Sequence, residues 1–244
     1  MSKYALVTGG SGGLGAAICK TLASSGYKIV FTYNSNRAKA ERTLQELDGE
    51  GHQFYSLDVA DTQAIESLRN SLVDDNIDID LLVNCAGTTQ FVAHQDLSGL
   101  TDDIIDKILS VNVRAPLAMV RAFQSSLDKK RGCIINITSI AAKTAMGSNI
   151  AYCASKAALE NMTCSLARAL APNVRVLSVA PGLIDTEFVK GLDEEWRNTQ
   201  EQSTPLQRLA DVEEVAKAVL LAAEQLTFST GTTISVDGGR PLNG

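Results

Sequence analysis

Tyr152 and Lys156 stand four residues apart in the run Tyr152-Cys153-Ala154-Ser155-Lys156, and Ser139 lies thirteen positions upstream. On a helix, positions i and i+4 share a face. A phenol titrates near ~10, too high for efficient proton transfer at neutral pH. A neighbouring ammonium stabilises the phenolate and lowers that value. A serine hydroxyl beside the phenol can hold a carbonyl or hydroxyl oxygen. The three groups together suit acid/base work on a carbonyl/alcohol couple. Taken alone, Tyr-x-x-x-Lys is a weak signal, because chance supplies it often. The upstream serine and a glycine-rich loop near the start of the chain give it weight.

Such groups need rigid elements to hold them. Strand-like apolar runs fall at Tyr4–Thr8, Lys28–Tyr33, Gln53–Leu57, Asp80–Asn84, Cys133–Ile137, Arg175–Ala180 and Thr233–Val236. Those in the middle are rich in Val, Ile and Leu, which suits parallel strands buried on both faces. Helical patterns lie between them near 13–25, 37–48, 61–74, 101–127, 152–171 and 211–224. This alternation implies βαβ units and an α/β fold: one Rossmann-like, doubly wound parallel sheet of about seven strands with helices on both faces. No repeat, low-complexity stretch or linker marks a second domain, so residues 1–244 are expected to form a single dinucleotide-binding and catalytic domain. The segment from Gly182 to Leu209 is longer than a usual connection and is expected to act as a substrate lid over about 184–209. A short helix is expected within it at Glu194-Glu195-Trp196-Arg197, with Trp196 either lining a substrate pocket or pinning the lid.

After the first strand come Thr8-Gly9-Gly10-Ser11-Gly12-Gly13-Leu14-Gly15 and a helical run. A glycine-rich turn into a helix lets backbone N–H groups approach a phosphate, and the helix N-terminus adds favourable partial charge. That is the logic of dinucleotide binding. The ribose is read at the end of the second strand, where an acid would accept from the 2′-OH and repel a 2′-phosphate. The strand here ends Tyr33-Asn34-Ser35-Asn36-Arg37, with hydroxyls, amides and one arginine but no acid. The composition favours NADP(H), with NAD(H) as the alternative.

The rest of the composition narrows the class. No apolar run reaches the ~20 residues that span a bilayer. The start, Met1-Ser2-Lys3-Tyr4, has no signal-peptide h-region, so the chain is expected to be cytoplasmic. The five cysteines (Cys19, Cys85, Cys133, Cys153, Cys164) are scattered and read as reduced packing residues. Two histidines, His52 and His94, make no metal-ligand cluster. A net charge of −6 argues against nonspecific binding to nucleic acid or anionic membrane.

The motifs in order resemble the short-chain dehydrogenases/reductases nearly end to end. They are Thr8 to Gly15, Asp58-Val59, Asn84-Cys85-Ala86-Gly87, Asn112, Ser139, Tyr152 with Lys156, Pro181-Gly182 and Val236-Asp237-Gly238-Gly239. The resemblance implies hydride transfer between a nicotinamide and a carbonyl carbon. It implies Tyr152 as general acid in reduction, Lys156 holding the nicotinamide ribose, Ser139 on the reacting oxygen and Asn112 in a proton relay. It also implies that Asp58 binds the adenine amino group with Val59 packed nearby. Asn84, Ala86 and Gly87 would border the adenosine side, and Pro181, Gly182, Ile184 and Thr186 the nicotinamide.

Within the family, Val179 to Thr186, Thr204 to Arg208 and Val212 to Ala216 look most like 3-oxoacyl-[acyl-carrier-protein] reductases. Dehydrogenases of small alcohols, sugars and steroids share those patterns, so they remain the alternative. A nucleotide-sensing protein without catalysis is the third reading. Cys85 stands where the family usually has a second asparagine. The run Lys129-Lys130-Arg131 matches one region that such reductases use to dock an acidic carrier, while Ala171 to Arg175 lacks the second basic residue expected there. The family is usually tetrameric. Ala154, Ala157, Ala158, Met162, Ser165, Leu166 and Ala169 form a small-residue face that could pack on a partner or on the chain's own sheet.

Overall fold

Seven short apolar runs pair side by side, all parallel. The computed structural model describes residues 3–186 and 194–243. Its strands are β1 (Lys3–Val7), β2 (Tyr27–Tyr33), β3 (Gln53–Ser56), β4 (Leu81–Asn84), β5 (Cys133–Ile137), β6 (Arg175–Pro181) and β7 (Thr233–Val236). They lie in the order β3-β2-β1-β4-β5-β6-β7. The order reverses between β1 and β4, which places a ligand crevice at the carboxyl ends of those strands.

Between the strands run α1 (Gly13–Ser24), α2 (Arg37–Gln45), α3 (Thr62–Asp74), α4 (Asp102–Leu109), α5 (Ala115–Lys130), α6 (Ala141–Thr144), α7 (Ile150–Leu170), α8 (Glu194–Gln202) and α9 (Val212–Glu224). Alternate strand residues feed two cores. Ala5, Val7, Ile29, Phe31, Val83, Ile135 and Val179 pack with α1 and α9 on one face. Leu6, Val30, Leu82, Ile134 and Val176 pack with α3 and α5 on the other. The period of two in side-chain direction is what lets one apolar strand serve both layers. No described helix is long and apolar enough to cross a membrane.

The strands fall within a residue or two of the expected limits. Two helical expectations change. The pattern over 101–127 is not one helix: α4 ends at Leu109, a π-helical turn spans Ser110–Arg114, and α5 begins at Ala115. Pro116 sits in the first turn of α5 and has no N–H to return to the carbonyl of Asn112, so an unbroken α ladder cannot run through this point. Helix α7 starts two residues before Tyr152 because Asn149 caps it.

Candidate active site

Strand β5 and helix α7 bring the candidate acid/base residues together. Ser139 follows the end of β5, and its Oγ accepts the Ala141 N–H at 3.1 Å as α6 begins. Asn149 is almost fully buried, and its Oδ1 accepts the Tyr152 N–H at 2.7 Å. The Nδ2 of Asn149 donates to the Gln90 carbonyl at 2.6 Å, tying the loop after β4 to the start of α7. Lys156 is buried, with Nζ donating to the Ile137 carbonyl at 2.9 Å and lying 5.7 Å from the Tyr152 ring centroid. Asn112, on the π turn, accepts from Thr88 N at 2.8 Å and donates to the Thr88 carbonyl at 2.9 Å and to Ser155 Oγ at 3.1 Å. Ser155 in turn donates to the Tyr152 carbonyl at 2.7 Å. The π turn and the helix bearing Tyr152 are therefore joined by hydrogen bonds through a buried serine.

Burial raises the Tyr152 phenol above its usual value, a hydrogen bond with Ser139 opposes this, and nearby Cys153 adds to the rise. Lys156 lies 5.7 Å from the Tyr152 ring centroid and is not among the groups that shift the phenol. Its ammonium is directed at the Ile137 carbonyl, and burial pulls its own pKa down to about 8, with Cys85 opposing weakly. A lysine that is only partly charged near pH 8 stabilises a phenolate less than a full ammonium would.

A cleft of about 620 Å³ opens at the switch point of the sheet. Gly9, Ser11, Gly12, Leu14 and Gly15 line it, with Tyr33, Asn34 and Ser35 at one end, Asp58 and Val59 along the wall, and Ala86 and Gly87 at the other side. The residues fit a dinucleotide. Gly9 has φ +70° and Gly13 φ +46°, a backbone that favours glycine. A Cβ on Gly15 would lie 2.1 Å from the Gly9 carbonyl oxygen, whereas one on Gly12 would meet nothing within 4 Å. The turn is closed on itself behind and open toward the cleft, the shape a pyrophosphate needs. Thr8 holds it: its Oγ1 accepts from the N–H groups of Cys85 and Ala86, both at 3.0 Å.

Two close approaches link the glycine turns beside this cleft to the other candidate site residues. A Cβ on Gly87 would stand 3.5 Å from Asn112 Oδ1 and 3.7 Å from Lys156 Nζ. A Cβ on Gly13 would stand 4.0 Å from Thr186 Cγ2. Pro181, at the end of β6, accepts the Ile140 N–H at 3.0 Å, one residue past Ser139. Gly182 and Ile184 follow, with Gly182 N–H donating to the Val236 carbonyl at 2.9 Å.

Asn84 and Arg37, expected at the cofactor, are outside the lining of this cleft, as are Gly13, Tyr152, Lys156, Pro181, Gly182, Ile184 and Thr186. Asn84 is buried with Nδ2 donating to Asn136 Oδ1 at 2.8 Å, and Asn136 donates to Thr163 of α7 at 2.9 Å. Its side chain pins the sheet to α7. Arg37 is outside the lining, its Nε bonded to Glu41 Oε1 at 2.8 Å. Conversely, Asn36, Thr88, Ser110 and Val111 line the cleft without having been expected there. Asn36 could have been found as the cap of α2, and the break at Pro116 pointed to Ser110 and Val111.

The long connection after β6 leaves and returns at one place. Asp185 N–H donates to the Ala210 carbonyl at 2.9 Å, and Ala210 N–H to the Leu183 carbonyl at 3.1 Å. The short helix is present as α8, with Arg197 paired to Asp185 at 3.0 Å. Residues 187–193 of the expected lid lie outside the described residues. Trp196 is 40% exposed and outside the lining of the cleft. The basic run Lys129-Lys130-Arg131 closes α5 just before β5, so it lies at the opposite end of that strand from Ser139, and Lys129 pairs with Asp78.

Residues 9–240 match the family model described as Enoyl-(Acyl carrier protein) reductase. The 3-oxoacyl-[acyl-carrier-protein] reductase FabG of Vibrio harveyi is 35% identical over 240 residues, 97% of this chain and 96% of that protein. A solved short-chain dehydrogenase/reductase from Serratia marcescens superposes with a TM-score of 0.89 at 33% identity, covering 98% of each chain. A blue fluorescent protein from a metagenomic library, solved in complex with NADPH, gives 0.89 at 34% identity, covering 98% of this chain and 97% of that one. This chain belongs to the short-chain dehydrogenase/reductase family. It is an NAD(P)-dependent oxidoreductase of the carbonyl/alcohol couple.

Proposed function

We propose that this protein reduces a 3-oxoacyl thioester to the 3-hydroxyacyl thioester with NADPH as donor. The observation that carries it is the junction at Gly87, where Lys156 and Asn112 meet the inner end of a cleft shaped for a dinucleotide. The similarity to a 3-oxoacyl reductase supports the substrate class, and the NADPH complex of a relative supports the donor. The bound nicotinamide supplies the hydride. Ser139 donates to the substrate carbonyl oxygen and Tyr152 delivers the proton that makes it an alcohol. Lys156 holds the ribose and recharges the phenol, and Asn112 fixes the Thr88 loop beside it. Gly9, Ser11, Gly12, Gly13, Leu14 and Gly15 hold the pyrophosphate. Tyr33, Asn34, Ser35 and Arg37 serve the ribose and its phosphate, and Asp58, Val59, Ala86 and Gly87 the adenosine. Asn84 acts by holding the sheet. Pro181, Gly182, Ile184 and Thr186 bound the nicotinamide.

The chain acts as one domain, and the connection over 184–209 covers the bound substrate. In α7, Ala154, Ala157, Ala158, Ser165 and Ala169 are exposed rather than packed on the sheet. That face supports assembly as a homotetramer. The free cysteines suit a reducing cytoplasm. Because Lys129 to Arg131 lie away from the cleft, a carrier protein docking on the same chain would need another surface.

The test is absorbance-monitored NADPH oxidation with a short 3-oxoacyl thioester, for the wild type and Tyr152→Phe. Rapid oxidation is expected for the wild type. The variant should lose at least about a hundredfold in turnover, the lower range of a positioned acid, while still binding NADPH. Near-normal turnover in the variant would refute the assignment.

A further inference from the structure

Arg37 and Glu41 form an ion pair one turn apart on α2, at Nε···Oε1 2.8 Å. The guanidinium carbon lies 5.9 Å from the Phe54 ring centroid. Glu41 stands toward the C-terminal end of the helix from Arg37. The carboxylate engages the guanidinium from one turn further along α2, while Tyr33, which lines the cleft at the start of the helix with Asn34, Ser35 and Asn36, also interacts with Arg37. None of these four is acidic, and none is a cation.

We propose that Glu41 sets cofactor selectivity by competing with the ribose 2′-phosphate of NADP(H) for Arg37. The proposal rests on the NADP(H) assignment above. A phosphate at the start of α2 would bind a guanidinium whose Nε is already bonded to Glu41, so the two anions share one cation. The Glu41 carboxylate then stands near a second anion. Both effects act against a 2′-phosphate. Neither acts on the 2′-hydroxyl of NAD(H), which needs no cation. Selectivity is a difference of two affinities, and Glu41 lowers one of them. The pair is exposed, with side chains 71% and 49% accessible, so the effect is modest and salt-dependent. Releasing it should change affinity roughly two- to fivefold.

The test is calorimetric binding of 2′,5′-ADP and 5′-AMP at low salt to the wild type, Glu41→Gln, Glu41→Ala, Arg37→Gln and the Arg37→Gln/Glu41→Gln pair. Both Glu41 variants should bind 2′,5′-ADP roughly two- to fivefold tighter and 5′-AMP unchanged. Arg37→Gln should erase the preference for 2′,5′-ADP, and adding Glu41→Gln to it should restore nothing. Unchanged or weaker 2′,5′-ADP binding in both Glu41 variants overturns the proposal. So does equal tightening in the absence of Arg37, which would mean bulk charge and not competition. If the wild type shows no preference for 2′,5′-ADP while the Glu41 variants acquire one, the NADP(H) assignment falls and the competition stands.

Discussion

Lys156 is the residue whose environment conflicts most with its charge. A buried ammonium is costly, and here a single described hydrogen bond, to the Ile137 carbonyl, offsets the cost. Its folded pKa is pulled down to about 8, below the unfolded value of 10.5. The sign follows directly. Below about pH 8 the lysine is charged in both states, and the folded state bears the full burial penalty. As pH rises from about 8 to 10.5, the folded state has already lost its proton and the penalty disappears. Lys156→Met should therefore be at least as stable as the wild type at pH 6.5, with any advantage shrinking by pH 10. Thermal unfolding without cofactor at the two pH values measures this. A variant that is much less stable at pH 6.5 would mean that the hydrogen bond outweighs the desolvation. Tyr152, Lys156 and Ser139 were legible from residue type and spacing. The low pKa of Lys156 was not, because it depends on the strand that ends above it.

At the scale of elements, the N-terminus of α7 decides where the phenol points. Asn149 satisfies the Tyr152 N–H and holds the Gln90 carbonyl, so one side chain fixes both the helix and the loop facing it. Asn149→Ala should cost about 1 kcal/mol in stability, the value of a lost cap. It should also lower turnover about tenfold, because displacing a catalytic group slightly is enough to do so. Asn149→Asp keeps the acceptor and should recover most of the stability. Denaturant unfolding alongside steady-state kinetics separates the two effects. A second cap, Asp211 with Glu214, starts α9, and Arg208 grips the Glu214 carboxylate through both Nη atoms at 2.7 Å. The Arg208 hydrogen bond, helped by the Asp211 N–H, holds Glu214 down at about 2 against 4.5. This stability is complete above about pH 4.5 and is lost as pH falls through 2. Solvent reaches the pair, so Glu214→Gln should cost about 1 kcal/mol at pH 7. The gap between variant and wild type should narrow by pH 3 in urea titrations.

For the whole molecule, the open question is what covers the outer face of α7. Ala154, Ala157, Ala158 and Ala169 are exposed there, and small residues let a second helix come close. Ala158→Arg places a long cation in the middle of that face. Light scattering should show a tetrameric wild type and a smaller species for the variant. A wild type that is monomeric at micromolar concentration would sink the assembly, and the exposed alanines would then be helix-propensity choices.

From the amino-acid order alone come the seven strands, their parallel pairing, the glycine turn and the candidate acid/base group. Each follows from a short-range cause. Apolar runs of this length bury on both faces, glycine alone tolerates the backbone of the turn, and i and i+4 share a helix face. Tertiary structure decided three things that no local pattern encodes. It turned Asn84 under α7 and away from the cleft, because the register of β4 against β5 sets it opposite Asn136. It paired Arg37 with Glu41 and set its guanidinium by the ring of Phe54 from a neighbouring strand, outside the lining of the cleft. It also left the Tyr152 phenol raised and Lys156 low, because burial is a property of everything packed around a group and not of its neighbours in the chain.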